Sequence, residues 1–522
     1  MLKLVHDLRI ENEELKSKFN KYKAEAGYWK AQHGRAIKRE DEIKKENEEL
    51  TAKLRLREQQ LFGRKTEKRK AKTESTQESS QHSRGHQKGT PNHGRINHDH
   101  LPCQTETIDL CDADKKCDIC GLPYEELGIT EDSSVIELVD VRAHKRTIRR
   151  KIYKTKCNCK SGKIITAPCV PKLIPKGIIG ASLWCKILVE KYYYQRPLYR
   201  LLSVLKDQGL DLAQGTITGG LKKILPFFIP VYNAIQTKCL EDRRWHADES
   251  RWSVFEETEG KVGYRWYLWV FKSTQAVIFK IASSRSSSVA NCFFEKTKGG
   301  ILSVDRYIAY KVIAKLNLLI LAFCWAHVRR DFLSHAKEYP QQESWAFGWV
   351  ELINELYHIN NQRVRHEKKE SAFLELDKEL REKVQCMEDR FLLELKDKSL
   401  HVKSKKLLES LQNHWDGLTV FVAHPEVPMD NNAAERQLRN SIIGRKNYYG
   451  SGSVWSSELS AMLFSIFETL KLWEISPNGW LKFYLQSCAE NHGKPLADIE
   501  AFLPWNMSEA QKTQVNQHWN TS

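Results

Sequence analysis

The sequence predicts a multidomain chain, helical over its first sixty residues and α/β in its second half. Three observations carry this. A heptad pattern runs through residues 1–60, large hydrophobic residues are missing from Gly63 to Arg95, and strand periodicity replaces helical periodicity near residue 241. Between these landmarks lie two tight cysteine pairs in a β-rich stretch and a run of helical segments. The resulting division is 1–60, 61–100, 101–170, 171–240, 241–475 and 476–522.

Composition narrows the class. The 522 residues hold 41% hydrophobic and 10% aromatic side chains, enough for a sizeable core. A balance of 83 Lys and Arg against 66 Asp and Glu leaves +17. That excess favours polyanions, because each cation seated on a phosphate releases condensed counterions. Charge alone would also suit a ribosomal or membrane-surface protein. No stretch reaches the roughly 18 apolar residues of a spanning helix, and the start Met1-Leu2-Lys3 turns charged at once, unlike a signal peptide. Thirteen cysteines, two pairs of them closely spaced, suit a reducing compartment and a metal site rather than disulfides. The expected location is therefore cytoplasmic.

In the first segment one seam runs Leu8, Leu15, Tyr22, Trp29, Ala36, Ile43 and Leu50 at heptad spacing. A second runs Val5, Asn12, Phe19, Ala26, His33, Glu40, Asn47 and Leu54. With the first seam at d, Asn12 and Asn47 fall at a, inside two copies of Asn-Glu-Glu-Leu. A buried a-position Asn fixes register in parallel dimers, so a dimeric coiled coil is expected. His33 and Glu40 fit a single solvated helix instead. The stretch that follows lacks the apolar side chains needed to offset the entropy of ordering, and reads as a flexible basic linker. Arg64, Lys65, Lys68, Arg69 and Lys70 either touch phosphates or solvate a tether.

Cys117-x2-Cys120 and Cys157-x-Cys159 are separated by alternating segments such as Val135–Val141 and Thr147–Tyr153. Two close pairs on hairpin-like turns converge on a tetrahedral, structural Zn²⁺. The second pair is short by one residue, and Cys103, Cys111 and Cys169 are substitute ligands. Residues 171–240 read as consecutive helices. Lys191–Arg200 mixes basic and aromatic side chains, Gly209 and Gln214–Thr218 form a turn, and Thr218 is expected to cap the next helix. Helix, turn and capped helix fit either a helix-turn-helix DNA-binding region or an ordinary packing domain.

Trp245–Phe255, Tyr264–Phe271 and Ala276–Ala282 read as a meander of strands. Ile301–Val304 and Leu318–Phe323 follow as shorter buried ones. This order matches a ribonuclease H-like sheet, with Asp248 within the first strand and Asp305 at the end of the fourth, so that the two carboxylates meet at one edge. The third acid, Glu435, follows Asp430-Asn431-Asn432, residue types that suit a helix N-terminus. Ile442–Asn447 reads as a glycine-basic phosphate-contact segment just beyond that helix. Residues about 335–425, rich in Leu, Glu and Lys at helical spacing, read as an all-helical insertion. Cys324-x2-His327 looks like half a zinc site with no second half, which favours a core role.

Taken together, these motifs make the chain resemble a transposase of the insertion sequence 66 family. The matching segments begin with Leu61-Phe62-Gly63-Arg64, His100-Leu101-Pro102, Cys117–Gly121 and Pro197–Arg200. They continue with Ala247-Asp248-Glu249-Ser250, Asp305-Arg306-Tyr307 and Cys324–Arg330. Asp430-Asn431-Asn432 with Ala434-Glu435-Arg436 and Leu438-Arg439, Gly444-Arg445-Lys446-Asn447, Pro477-Asn478-Gly479 and Leu503-Pro504-Trp505 follow. Ser250 stands where the family usually has Thr, and the second cysteine pair is shortened. The resemblance implies a DDE-type enzyme in which Asp248, Asp305 and Glu435 hold two Mg²⁺ or Mn²⁺ ions. It would cleave the ends of a DNA element and join the freed 3′-hydroxyl to target DNA. Arg436, Arg439, Arg445, Lys446, Arg329 and Arg330 are the expected DNA contacts, a homo-oligomer is the expected state, and small accessory proteins of the same element are implied partners. The competing readings are a ribonuclease H-like nuclease that does not join, and a zinc-dependent DNA-binding regulator with an inactive core.

Overall fold

The computed structural model describes residues 2–62, 152–154, 164–166 and 170–517. The basic linker and all the candidate zinc ligands, Cys117, Cys120, Cys157 and Cys159, lie outside the described residues. So do Cys103, Cys111 and Cys169. In chain order the elements begin with α1 (Leu2–Phe62) and the antiparallel pair β1 (Ile152–Lys154) and β2 (Ile164–Thr166). Next come α2 (Ala181–Leu188), a π-helical turn Val189–Tyr193, α3 (Leu198–Asp207) and α4 (Gln214–Leu240). The sheet strands are β3 (Arg244–Ser253), β4 (Arg265–Lys272) and β5 (Val277–Ala282). After α5 (Ser287–Phe294) come β6 (Ile301–Val304), α6 (Ile308–Asn317) and β7 (Ile320–Phe323). A purely helical run follows: α7 (Trp325–Glu338), α8 (Glu343–Arg363), α9 (Ser371–Lys396), α10 (Val402–Gln412), α11 (Trp415–Leu418) and α12 (Val420–Ala423). The chain ends with α13 (Asn432–Tyr448), α14 (Val454–Leu472), α15 (Pro477–Glu490) and α16 (Glu509–Gln517). Among the described residues, no helix is long and apolar enough to cross a membrane.

Two compact units result. The α/β unit is built on a mixed sheet of order β5-β4-β3-β6-β7, with β3 antiparallel to β4 and parallel to β6. Side chains alternate across a strand, and the core follows that rule. Phe271 and Trp245 face α5, stacking on Phe293 at 4.1 Å and meeting Phe294 at 5.3 Å. Trp252 and Phe279 face the other way, onto Phe464 of α14 at 6.0 and 5.8 Å. Residues 171–240 do not stand apart: α4 packs on β5 and α14 within this unit. Its helix starts at Gln214 after Ala213, so Thr218 lies inside it rather than capping it.

The helical unit joins α1 to α7–α12. The insertion begins immediately after β7, some ten residues before the leucine spacing suggests, because α7 is amphipathic over its own length and carries Trp325 into the core. An aromatic cluster holds it: Phe332 stacks on Trp349 at 5.6 Å, and Trp415 meets Trp325 at 5.9 Å and Phe391 at 5.0 Å.

The C-terminal part of α1 docks on this unit. Ala52 is buried, Glu49 pairs with Lys403 at 2.7 Å and Glu48 with His401 at 3.3 Å. The rest is bare: Leu8, Leu15, Tyr22, Trp29, Ile43 and Leu50 are 49–68% exposed. Burying a large apolar side chain is worth about 1.5–3 kcal/mol, so six at heptad spacing are a strong drive to pair with a second helix. A truncation removing residues 1–40, which spares the docked turn, is expected to leave a monomer. An unchanged oligomer in sedimentation would reject the coiled coil.

Candidate active site

β3 occupies the centre of the sheet and carries the first carboxylate. His246, Asp248, Ser250 and Trp252 point to the α13 and α14 face, while Ala247 and Glu249 point to the α5 and α6 face. In the parallel pair, His246 stands opposite Ser303. Two residues further on, the same register brings Asp248 level with Asp305, just past the end of β6. Asp305 Oδ1 accepts from the Tyr307 backbone N–H at 2.9 Å, which closes the turn into α6. Asp248 Oδ1 accepts from the Glu249 N–H at 2.8 Å.

The third carboxylate arrives on α13. This helix is fastened to β3 by Asn431, its fully buried N-cap residue. Asn431 Nδ2 donates to the Ala247 carbonyl at 2.7 Å, and its Oδ1 accepts from His246 Nδ1 at 3.0 Å. Residues four apart share a helix face, so Glu435 leaves α13 on the same side as Asn431, the residue bonded to β3. The far end is fastened too: Arg445 donates to Ser250 Oγ at 3.1 Å and to the Arg251 carbonyl, and Trp252 Nε1 donates to Ser451 Oγ at 3.1 Å.

Charge records the convergence. Burial pushes the Asp248 carboxyl up to about 7, and the negative charges of Glu249, Asp305 and Glu435 add to the shift. Burial pushes His246 down to about 4, so its ring is neutral near pH 7 and free to donate to Asn431. Half-buried carboxylates that repel one another, with hard oxygen donors, fit Mg²⁺ or Mn²⁺. A divalent cation would relieve the repulsion.

The comparisons with known proteins fall on this site. The family model described as "Transposase IS66 family" matches residues 176–458, more than half of the chain and all three carboxylates. The chain belongs to the IS66 transposase family. At the family level it is a DDE transposase, a metal-dependent enzyme of a mobile element. It resembles three uncharacterized proteins of Sinorhizobium fredii. Protein y4jD is 27% identical, covering 80% of this chain and 82% of its own, and y4hP is 25% identical over 71% and 69%. Protein y4qI is 28% identical over 74% and 73%. No solved structure matches.

The IS66 motif residues sort by exposure. Arg436, Arg439 and Lys446 are exposed on α13, and Arg330 is exposed on α7, where Arg329 donates to Asn354 at 3.0 Å. The Gly444-Arg445-Lys446-Asn447 segment is not a loop beyond the helix but part of α13. Gly444 is there for close approach: a Cβ would lie 2.1 Å from Gln195 Oε1 and 2.5 Å from the Tyr448 hydroxyl. Asn447 donates to the Gln195 carbonyl at 2.9 Å, and Arg445 is turned onto β3. Only Lys446 of the basic pair points outward. In the helical unit Cys324 is buried at the start of α7, with His327 one turn on.

Sequence reasoning passed over His246, Gln195, Arg285 and Tyr310. His246 carried a signal, since it lies two residues before Asp248 and so shares its strand face. The others are tied to the motifs only through space.

Proposed function

We propose that this transposase holds two Mg²⁺ or Mn²⁺ ions on Asp248, Asp305 and Glu435, cleaves element ends and joins them to target DNA. The reading is supported by three acids carried on β3, the β6–α6 turn and α13, of which Asp305 and Glu435 act electrostatically on the Asp248 carboxyl. Bound divalent cations supply Lewis-acid stabilisation of phosphoryl oxygens and lower the pKa of an attacking water. The protein's own part is positional: β3 and β6 fix two carboxylates by register, and Asn431 brings the third. Water attacks the phosphate at the element end, breaking its bond to the 3′ oxygen and freeing a 3′-hydroxyl, which then attacks a target phosphate and displaces the target strand's own 3′-hydroxyl. Arg436, Arg439 and Lys446 offer exposed cations along α13 for the DNA backbone. Arg445, held on β3, contributes positive charge beside them, with Arg329 and Arg330 as further contacts. Pairing through α1 would bring two ends together in a homodimer. The reading also takes in the accessory proteins of the element and action at the nucleoid.

The test is incubation with candidate end DNA, Mg²⁺ and a target plasmid. Joined products support the proposal; cuts without joining make the protein a simple nuclease, and neither makes it a binding protein.

Cys117, Cys120, Cys157 and Cys159 are proposed to hold one structural Zn²⁺. Support comes from β1 and β2, which pair on either side of Cys157 and Cys159 in the sequence. The purified protein is expected to carry about one zinc per chain, lost in Cys117→Ser or Cys120→Ser and released by acid, since the ligands must be thiolates. Elemental analysis finding no zinc in the parent protein would refute this.

A further inference from the structure

Glu249 follows Asp248 in the sequence but points to the opposite sheet face, where its side chain is only 2% exposed. Three bonds converge on it. Arg285 donates through Nε at 2.8 Å and Nη2 at 2.5 Å to Oε1, and the Tyr310 hydroxyl donates to Oε2. Tyr310 is itself fully buried in the first turn of α6, its ring edge-on to Trp269 at 6.2 Å. Trp269 is the residue of β4 opposite Glu249. Arg285 in turn covers the ring of Tyr307 at 4.0 Å, and the Tyr307 hydroxyl donates to the Arg285 carbonyl at 3.2 Å.

Both tyrosines belong to the turn that carries Asp305. Tyr307 is the N-cap of α6, and its N–H holds the Asp305 carboxylate. One unbroken chain of bonds therefore runs from the Asp248–Glu249 peptide, through the Glu249 carboxylate, to Tyr310 and Arg285, and back along the turn to Asp305. β6 ends at Val304, so the strand ladder stops short of Asp305. The Glu249 network ties this turn to β3 beyond the ladder.

An ordinary core ion pair would explain such a group if it added stability. Buried ion pairs contribute little net stability, because desolvation cancels most of the attraction. Positioning accounts for it better. We propose that Glu249 is a positioning residue: by clamping the Asp305 turn to β3 through Tyr310 and Arg285, it sets the separation of Asp248 and Asp305 for their metal. The inference rests on the proposal that these two acids are metal ligands.

The experiment titrates Mn²⁺ into the full-length protein by calorimetry at pH 8, with free Mn²⁺ followed by electron paramagnetic resonance, beside thermal unfolding. Glu249→Gln keeps the volume but removes the charge that holds Arg285. Tyr310→Phe removes one hydroxyl and leaves the ring. Partners that orient metal ligands are typically worth about 10–100-fold in metal affinity. Glu249→Gln, titrated at a temperature where thermal unfolding shows it folded, is therefore expected to bind Mn²⁺ at least about tenfold more weakly than the parent, with a smaller loss of the same sign in Tyr310→Phe. Parent-like affinity in both variants would overturn the positioning role. Should Glu249→Gln fail to fold, Tyr310→Phe decides alone. A third arm separates the two ideas: Asp248→Asn binding Mn²⁺ as well as the parent would remove the metal site itself.

Discussion

Replacing Asp248, Asp305 or Glu435 by its amide is expected to abolish both end cleavage and joining while affinity for end DNA stays nearly unchanged. Metal ions at a transferring phosphoryl group supply several kcal/mol of transition-state stabilisation, and each 1.36 kcal/mol is tenfold in rate. The loss should thus be at least about a thousandfold. The amides keep the shape of Asp248→Asn and Glu435→Gln, so Asn431 still anchors α13 and Arg436, Arg439 and Lys446 stay exposed. Asp430 serves as a control, since its carboxylate accepts from the Asn432 N–H at 3.0 Å as part of the turn into α13. A near-native cleavage rate by Glu435→Gln in Mn²⁺ would show that another acid completes the site.

The same site fixes a dependence on pH. Without metal, the Asp248 carboxyl titrates near 7 in the folded protein, against 3.8 when unperturbed. The folded state therefore binds the proton more tightly, and this group's contribution to stability is lost as pH rises from the unfolded carboxyl range through about 7. A divalent cation needs the carboxylate, so its stabilising effect should grow over the same interval. Thermal unfolding with EDTA should show a midpoint falling from pH 5 to pH 8 that Mn²⁺ restores at pH 8. Asp248→Asn should flatten both trends.

Much of this arrangement is legible in the sequence because it depends on local pattern. Runs of β-branched and aromatic residues mark β3 to β7; Asp248 falls on β3 and Asp305 just past β6, at positions that the parallel register brings level. Asn431 before Glu435 signals a helix start, and the structure begins α13 there. Leucines at helical spacing announce the insertion. What pattern does not carry is the reason for a residue whose partner is distant in the chain. Gly444 reads as part of a phosphate-contact segment just beyond the helix; in the fold it lies within α13, where Gln195 leaves no room for a Cβ. Glu249 reads as a bystander of Asp248, since Arg285 and Tyr310 reach it from loops and helices that the strand pattern does not connect. The heptad seam of α1 is legible for the opposite reason: among the described residues its large apolar side chains stay exposed, and its spacing alone describes it.

Replacing Arg363 by leucine is expected to destabilise the helical unit by about 3–5 kcal/mol, the usual cost of breaking a buried charged network by removing one partner. Arg363 is fully buried at the last turn of α8. Its Nη1 donates to Asp377 Oδ1 at 2.5 Å and to the Val422 carbonyl at 3.2 Å, and its Nη2 donates to the Phe421 carbonyl at 2.7 Å. The two carbonyls belong to the short helix α12, whose last turn has no further helix to satisfy them. The guanidinium also lies over the Phe373 ring at 5.6 Å, so one side chain joins α8, α9 and α12. Leucine fills part of the volume but leaves both carbonyls without their donor, and an orphaned buried polar group costs about 1–3 kcal/mol. Asp377 fares better, because Arg381 still donates to it at 2.8 Å from the exposed side. Asp377→Asn should therefore cost less than Arg363→Leu. Lysine cannot replace the planar fork that reaches three acceptors, so Arg363→Lys should recover only a minor part of the loss. Urea unfolding followed by circular dichroism, with limited proteolysis of residues 340–425, gives the answer. A parent-like midpoint in Arg363→Leu would mean that the aromatic cluster around Trp349 and Trp415 holds these helices without it.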